Sequence, residues 1–88
     1  MQNNDAQMQH IKTQLAKTNL AVNTLAALNL TVTSVRIDGA MPEISIIAGA
    51  GCNQLRPGIA RYRHRDGQRI TENTSVVADC KVHWEERT

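Results

Sequence analysis

IARYRHRDGQRITENT, residues 59–74, reads as a basic ribbon folded back on itself at Asp66-Gly67. Asp-Gly supplies the two positive-φ residues of a type I′ turn, whose twist matches that of the strands it joins. A two-residue loop also sets the register. Arg65 faces Gln68, Arg63 faces Ile70, Arg61 faces Glu72 and Ile59 faces Thr74, while His64 meets Arg69 and Tyr62 meets Thr71 on the other side. Neither face is cleanly apolar: Ile59 and Ile70 share theirs with three arginines, and Tyr62 shares its own with His64 and Arg69. Part of such a hairpin belongs at the edge of a sheet or projecting from its core.

Outward from the ribbon, Thr31 to Ile37 (TVTSVRI) is β-branched and alternating, and Glu43 to Ala48 (EISIIA) resumes after a turn at Asp38-Gly39. A loop over Asp38 to Met41 places Ile37 opposite Pro42, Arg36 opposite Glu43, Val35 opposite Ile44 and Thr33 opposite Ile46. The apolar residues then share one face, and an Arg36–Glu43 ion pair sits on the other. Gly49 to Gly58 (GAGCNQLRPG) is a loop, anchored by Leu55. Val76 to Glu85 alternates most cleanly, with Val76, Ala78, Cys80, Val82 and Trp84 on a buried side and Val77, Asp79, Lys81, His83 and Glu85 on a wet one.

Upstream, Met8, Ile11, Leu15, Thr18, Val22 and Leu25 recur at alternating spacings of three and four, which predicts a helix from about Asp5 to Leu28. Asp5 suits an N-cap or a first-turn acid, and Asn29 suits a left-handed terminator. A helix of roughly 22 residues is about 33 Å long, more than a small sheet needs as cover, so its first turns project, fray or meet another chain. The same stripe reads as heptad positions a and d, so packing on the chain's own sheet and homodimerisation through Met8 to Leu28 both stay open. A break near Thr18-Asn19 is a further alternative.

The whole chain, 88 residues, makes one small domain, with residues 1–4 a frayed start and 86–88 a tail. With no Phe, one Tyr and one Trp, the core must be aliphatic, which implies modest stability or help from a second copy. Arg56 to Glu72 holds five arginines against Asp66 and Glu72, a local +3 that exceeds the +2 of the chain. No signal-peptide pattern and no run near the roughly 20 apolar residues of a membrane span is visible. Together with two cysteines lacking any partner motif, this implies a soluble cytoplasmic protein with reduced thiols and no membrane partner.

The candidate chemistries are few. Gly49-Ala50-Gly51 lacks the third glycine of a dinucleotide fingerprint and the Gly-Lys-Ser/Thr of a P-loop. His10, His64 and His83 have no zinc-site spacing to cysteines or carboxylates, so neither metal nor cofactor is expected. Cys80 points into the expected core, away from His83, and Cys52 falls in the loop with no base nearby, so catalysis is not expected. The basic hairpin remains. Arg61, Arg63 and Arg65 recur at period two, about 7 Å apart, commensurate with successive phosphates on one strand. Arg56 and Arg69 extend the patch, Tyr62 offers a stacking face, and His64 lies among them. Basic ribbons bind acidic protein surfaces equally well, and arginine is favoured in interfaces generally. In a purely structural role, Arg61 pairs with Glu72 and the remaining charges keep an edge strand from aggregating.

The run Thr24-Leu25-Ala26-Ala27-Leu28-Asn29-Leu30-Thr31-Val32, the Ile-rich strand after it, Cys52, and the closing Cys80-Lys81-Val82-His83-Trp84 resemble small uncharacterised proteins encoded by phages and prophages. The resemblance covers about Thr24 to Glu85 and rests on hydrophobic spacing. It implies a non-enzymatic accessory protein in a bacterial cytoplasm that modulates a host or phage component, and it carries over no functional residue.

The expected architecture is α+β, an N-terminal helix on a four-stranded, mainly antiparallel sheet in the order α-β-β-β-β. Strands are expected near 31–37, 43–48, 59–65 and 68–84, the last interrupted around Asn73. The expected core is Leu15, Val22, Leu25, Leu28, Val35, Ile37, Ile44, Ile46, Ala78, Cys80, Val82 and Trp84. The expected function is a binding protein that docks on a protein partner through Arg56, Arg61, Tyr62, Arg63, His64, Arg65 and Arg69. The alternative is a nucleic-acid-binding regulator that places the same arginines on phosphates.

Overall fold

The computed structural model describes residues 3–38, 40–55 and 58–87. A helix α1 (Asn3–Ala27) precedes five strands: β1 (Val32–Arg36), β2 (Glu43–Ile46), β3 (Ile59–Arg65), β4 (Gln68–Val77) and β5 (Cys80–Arg87). They form one sheet in the order β1-β2-β5-β4-β3. All neighbours are antiparallel except β2 and β5, which run parallel. The chain builds the β1–β2 hairpin, crosses to the far edge through a 3-10 turn at Ala50–Gln54, and returns as a three-stranded meander that closes against β2. The α+β class is as expected, with a fifth strand and one parallel pairing added.

The fifth strand comes from a turn that the alternation conceals. Residues 76–85 are two arms of a hairpin, with Val77 opposite Cys80 and both Ala78 and Asp79 left-handed, at φ 49° and 61°. In a continuous strand Val76, Ala78 and Cys80 share a face; across a two-residue turn it is Val77 that shares the face of Cys80. Val76 is therefore turned to the opposite face and is 61% exposed. Ala78 is a half-buried turn residue packed against the core. Nor is there a break at Asn73: β4 runs through it, and its buried side-chain amide donates to Glu86 Oε1 at 2.9 Å.

Ile44, Ile46, Cys80, Val82 and Trp84 lie on the sheet face that the helix covers, and with Ala21, Leu25, Leu30, Cys52 and Leu55 they make the core. Asn29, at φ 61°, ends the helix as expected. Leu30 N donates to Leu25 O and Asn29 N to Ala26 O, the paired bonds of a Schellman cap, and Leu25 and Leu30 are both buried in the core. Gly51 lets the crossover run against this cap, since a β-carbon there would lie 2.2 Å from Leu28 O. The crossover is thus packed structure and not a bare loop: Leu55 anchors it, and so does Cys52, only 7% exposed.

Two expected core residues lie outside. The helix faces the sheet with Gln14, Thr18, Ala21 and Leu25, so Leu15, one residue or about 100° round from Gln14, stays 52% exposed. Short side chains at 18 and 21 allow this close approach, and the Gln14 side-chain amide donates to the Ala40 carbonyl. Val35 is 43% exposed because β1 is an edge with a neighbour on one side only. Val22, Leu28 and Ile37 are half-buried. Within the β1–β2 hairpin, Arg36 faces Glu43 and Val35 faces Ile44 as expected, but a bulge at Thr33 brings Val32 opposite Ile46. Arg36 pairs with Asp38 at 3.0 Å in place of Glu43.

The helix is unbroken at Thr18-Asn19 and, starting at Asn3, takes in part of the expected frayed start; β5 likewise takes in part of the expected tail. Its middle is held at the Ala78-Asp79 end of the sheet by Gln14 and by Lys17, 3.7 Å from Asp79. Its first turns therefore overhang that end, while the Asp66-Gly67 turn lies at the opposite end of β4. The longest dimension is accordingly 56 Å and the radius of gyration 15.1 Å, against about 12 Å for a compact chain of this length.

The turn gives a test by sign. Within a continuous strand Ala78→Gly would lose stability by roughly 0.5–1 kcal/mol. In a left-handed position glycine relieves a cost of about 1–2 kcal/mol, so thermal unfolding of Ala78→Gly should move up by several degrees. A lower midpoint would contradict the turn.

Candidate functional surface

The basic hairpin forms in the expected register throughout, from Arg65 opposite Gln68 to Ile59 opposite Thr74. Asp66 and Gly67 have φ 53° and 78°, as a type I′ turn requires. β3 is the outer strand of the sheet, and all seven of its residues are exposed. This satisfies two faces of mixed character: neither has to be buried.

The two faces differ in charge. Arg61, Arg63 and Arg65 project on the sheet face opposite the helix, but Glu72 of β4 and Glu85 of β5 share that face. Arg63 Nη2 lies 2.7 Å from Glu72 Oε2 and 3.6 Å from Glu85 Oε2. Glu72, directly opposite Arg61, thus pairs with the diagonal arginine. Arg61 and Arg65 form no ion pair among the described residues. Ile70 sits in register between Arg63 and Arg87 and is only 1% exposed, although it lies outside the main core. On the helix-side face, the Arg69 guanidinium stands 5.0 Å from the centre of the Tyr62 ring, a cation–π contact that braces an otherwise exposed tyrosine. His64 faces Arg69 on that side. Arg56, the remaining expected contact residue, lies outside the described residues.

One set of residues near this surface escaped the sequence reading. The meander and β2 enclose a shallow, open depression of about 780 Å³ on the face opposite the helix, with Lys81, His83 and Glu85 along its floor and Glu43, Ile59 and Arg61 at its sides. His83 is held there by Thr74, whose Oγ1 is 3.1 Å from Nδ1, and its Nε2 is 3.4 Å from Glu43 Oε1. The wet face of β5 was legible as alternation. Its meeting with Glu43 depends on the parallel β2–β5 pairing, for which no local signal exists. Among the described residues no three His, Cys, Asp or Glu side chains converge as metal ligands, and no helix is long and apolar enough to cross a membrane.

Both cysteines are free and buried, which corrects the expectation that Cys52 is a loop thiol outside the core. Burial pushes the Cys80 thiol above its ordinary range, and the nearby Thr18 hydroxyl and Lys17 ammonium only partly oppose it. No protein-family profile matches the chain, and no curated protein or solved structure matches it either.

The raised thiol gives a pH dependence of definite sign. Above the ordinary thiol value of about 8.5 the unfolded chain releases a proton that folded Cys80 retains. The contribution of Cys80 is therefore full below that value and is lost as pH rises toward its folded-state pKa. Denaturant unfolding should show stability declining from about pH 8.5 upward, with a shallower decline in Cys80→Ala. An equal slope in the variant would contradict this assignment.

Proposed function

We propose that this chain is a small, non-enzymatic binding protein that docks on a protein partner through the β3–β4 hairpin. The observation that carries the reading is the outer strand itself: seven exposed residues on a sheet edge, with Arg61 and Arg65 in no ion pair among the described residues and Tyr62 presented on the other side. Tyrosine and arginine are the residue types that interfaces favour. Two unpaired, buried thiols support a reducing compartment, in keeping with an accessory protein of a bacterial cytoplasm such as the phage and prophage proteins resembled by Thr24 to Glu85.

The phosphate reading is the weaker of the two. It calls for an arginine row free to neutralise phosphates, whereas Glu72 and Glu85 occupy the middle arginine and add negative charge to the same face. Self-association through the helix is weaker still. Leu25 is committed to the chain's own core and Thr18 is buried beside it, which leaves Met8, Ile11 and Leu15 as the exposed part of the heptad stripe. Three half-exposed side chains fall far short of the roughly 1,000 Å² that a specific interface needs.

The test is affinity capture from a bacterial lysate, with and without nuclease, comparing wild type with an Arg61→Ala/Tyr62→Ala/Arg65→Ala variant. A protein retained after nuclease treatment and reduced at least about tenfold by the variant is the expected result, equivalent to about 1.4 kcal/mol. Capture that vanishes with nuclease would support the nucleic-acid alternative, and equal yield from the variant would remove the hairpin from the account.

A further inference from the structure

We infer that β3 accepts an acidic, extended peptide segment as a sixth strand of the sheet. This rests on the hairpin-docking reading above and adds the chemistry of the partner and the mode of its recognition. The first ground is the difference between the two sheet edges. β1 is five residues long and broken by a bulge at Thr33, the kind of irregularity that keeps an edge from pairing. β3 is seven residues long, pairs with β4 without a register shift, and carries no proline. Only one edge is regular enough to serve as a template.

The second ground is the direction of the backbone. In a two-residue hairpin the closing pair, here Arg65 and Gln68, is a hydrogen-bonded pair, and bonded and non-bonded pairs then alternate. Arg65, Arg63, Arg61 and Ile59 thus direct their N–H and C=O groups at β4. Those of Ala60, Tyr62 and His64 point away from the sheet, spaced as an incoming strand requires.

The third ground is charge, which selects the occupant. A second copy of β3 adding antiparallel about a two-fold axis must place outward residues opposite outward residues. Centring it on Tyr62 sets Arg61 against Arg63; centring it on Arg61 or Arg63 sets that arginine against itself. Like charges directly opposite are destabilising, so the arginines work against self-pairing. The same row favours an added strand with Asp or Glu at alternate positions, since Arg61 and Arg65 have no ion pair among the described residues. Between the acids, apolar side chains would lie on the Tyr62 side, where that ring is 64% exposed.

The probes are three labelled heptapeptides: alternating Glu and Val, the same with Lys for Glu, and the Glu peptide N-methylated at every second residue. Binding is read by fluorescence anisotropy at about 50 mM salt, where surface charge is only partly screened. The protein variant is Ala60→Pro, which removes an outward N–H on an edge strand, where proline is tolerated; circular dichroism and thermal unfolding confirm its fold. The Glu peptide should bind wild type at least about tenfold more tightly than the Lys or N-methylated peptide, and folded Ala60→Pro should lose about the same factor. If the N-methylated peptide binds equally, or folded Ala60→Pro binds the Glu peptide as wild type does, strand addition is wrong. If the Glu peptide does not bind, or the Lys peptide matches it, the acidic partner is wrong. Those failures leave hairpin docking intact wherever the arginine and tyrosine substitutions still abolish lysate capture, whereas unchanged capture removes the reading beneath the inference.

Discussion

The left-handed pair Ala78-Asp79 is the constraint on which the rest of the structure depends. By reversing the chain after Val77 it returns Cys80, Val82 and Trp84 to the middle of the sheet, between β2 and β4. β5 is then buried on its helix side and paired on both edges, antiparallel to β4 and parallel to β2. Had residues 68–84 run on as one strand, β2 would have lost its inner neighbour and the helix much of the surface it covers. The fold accepts an alanine at a positive φ, against the ordinary preference for Asn or Gly, to obtain this closure.

Placing β5 at the centre also decides which groups remain for function. β3 is pushed to the outer edge, and its arginines onto the face without a helix. The returning strand brings Glu85 beside Arg63, so part of the basic row is neutralised from within the sheet. What is left is a regular edge with a moderated positive face, the geometry on which the proposed docking of an acidic strand rests. The bulged opposite edge and the overhanging first turns of the helix contribute little that resembles a built contact surface.

How much of this was legible depended on how local each signal was. Asp66-Gly67 announces its turn, and the register of the basic hairpin followed residue for residue. Asn29 announced the helix end. Ala78-Asp79 carries no such signal, and the apolar residues on either side of it keep the alternation of an uninterrupted strand, so periodicity concealed a reversal that only φ angles expose. Leu15 illustrates a second limit: the apolar stripe of the helix and its buried stripe are offset, because the buried Gln14 donates to the Ala40 carbonyl and the buried Thr18 satisfies its hydroxyl on the helix's own Gln14 carbonyl. The basic surface was readable from residues 59–72. Its partial neutralisation by Glu85, and the depression floored by His83 and flanked by Glu43, depend on strand order and could not be read locally.

The most direct measurement of the central claim, a sheet centred on β5 with β3 as its free outer strand, is amide hydrogen exchange followed by NMR. The amides of Lys81, Val82, His83 and Trp84 should be among the slowest in the protein. Along β3 protection should alternate, with Arg61 and Arg63 at least about tenfold slower than Ala60, Tyr62 and His64, whose N–H groups face outward. Uniform protection along β3, uniform fast exchange along it, or rapid exchange throughout β5 would contradict the account.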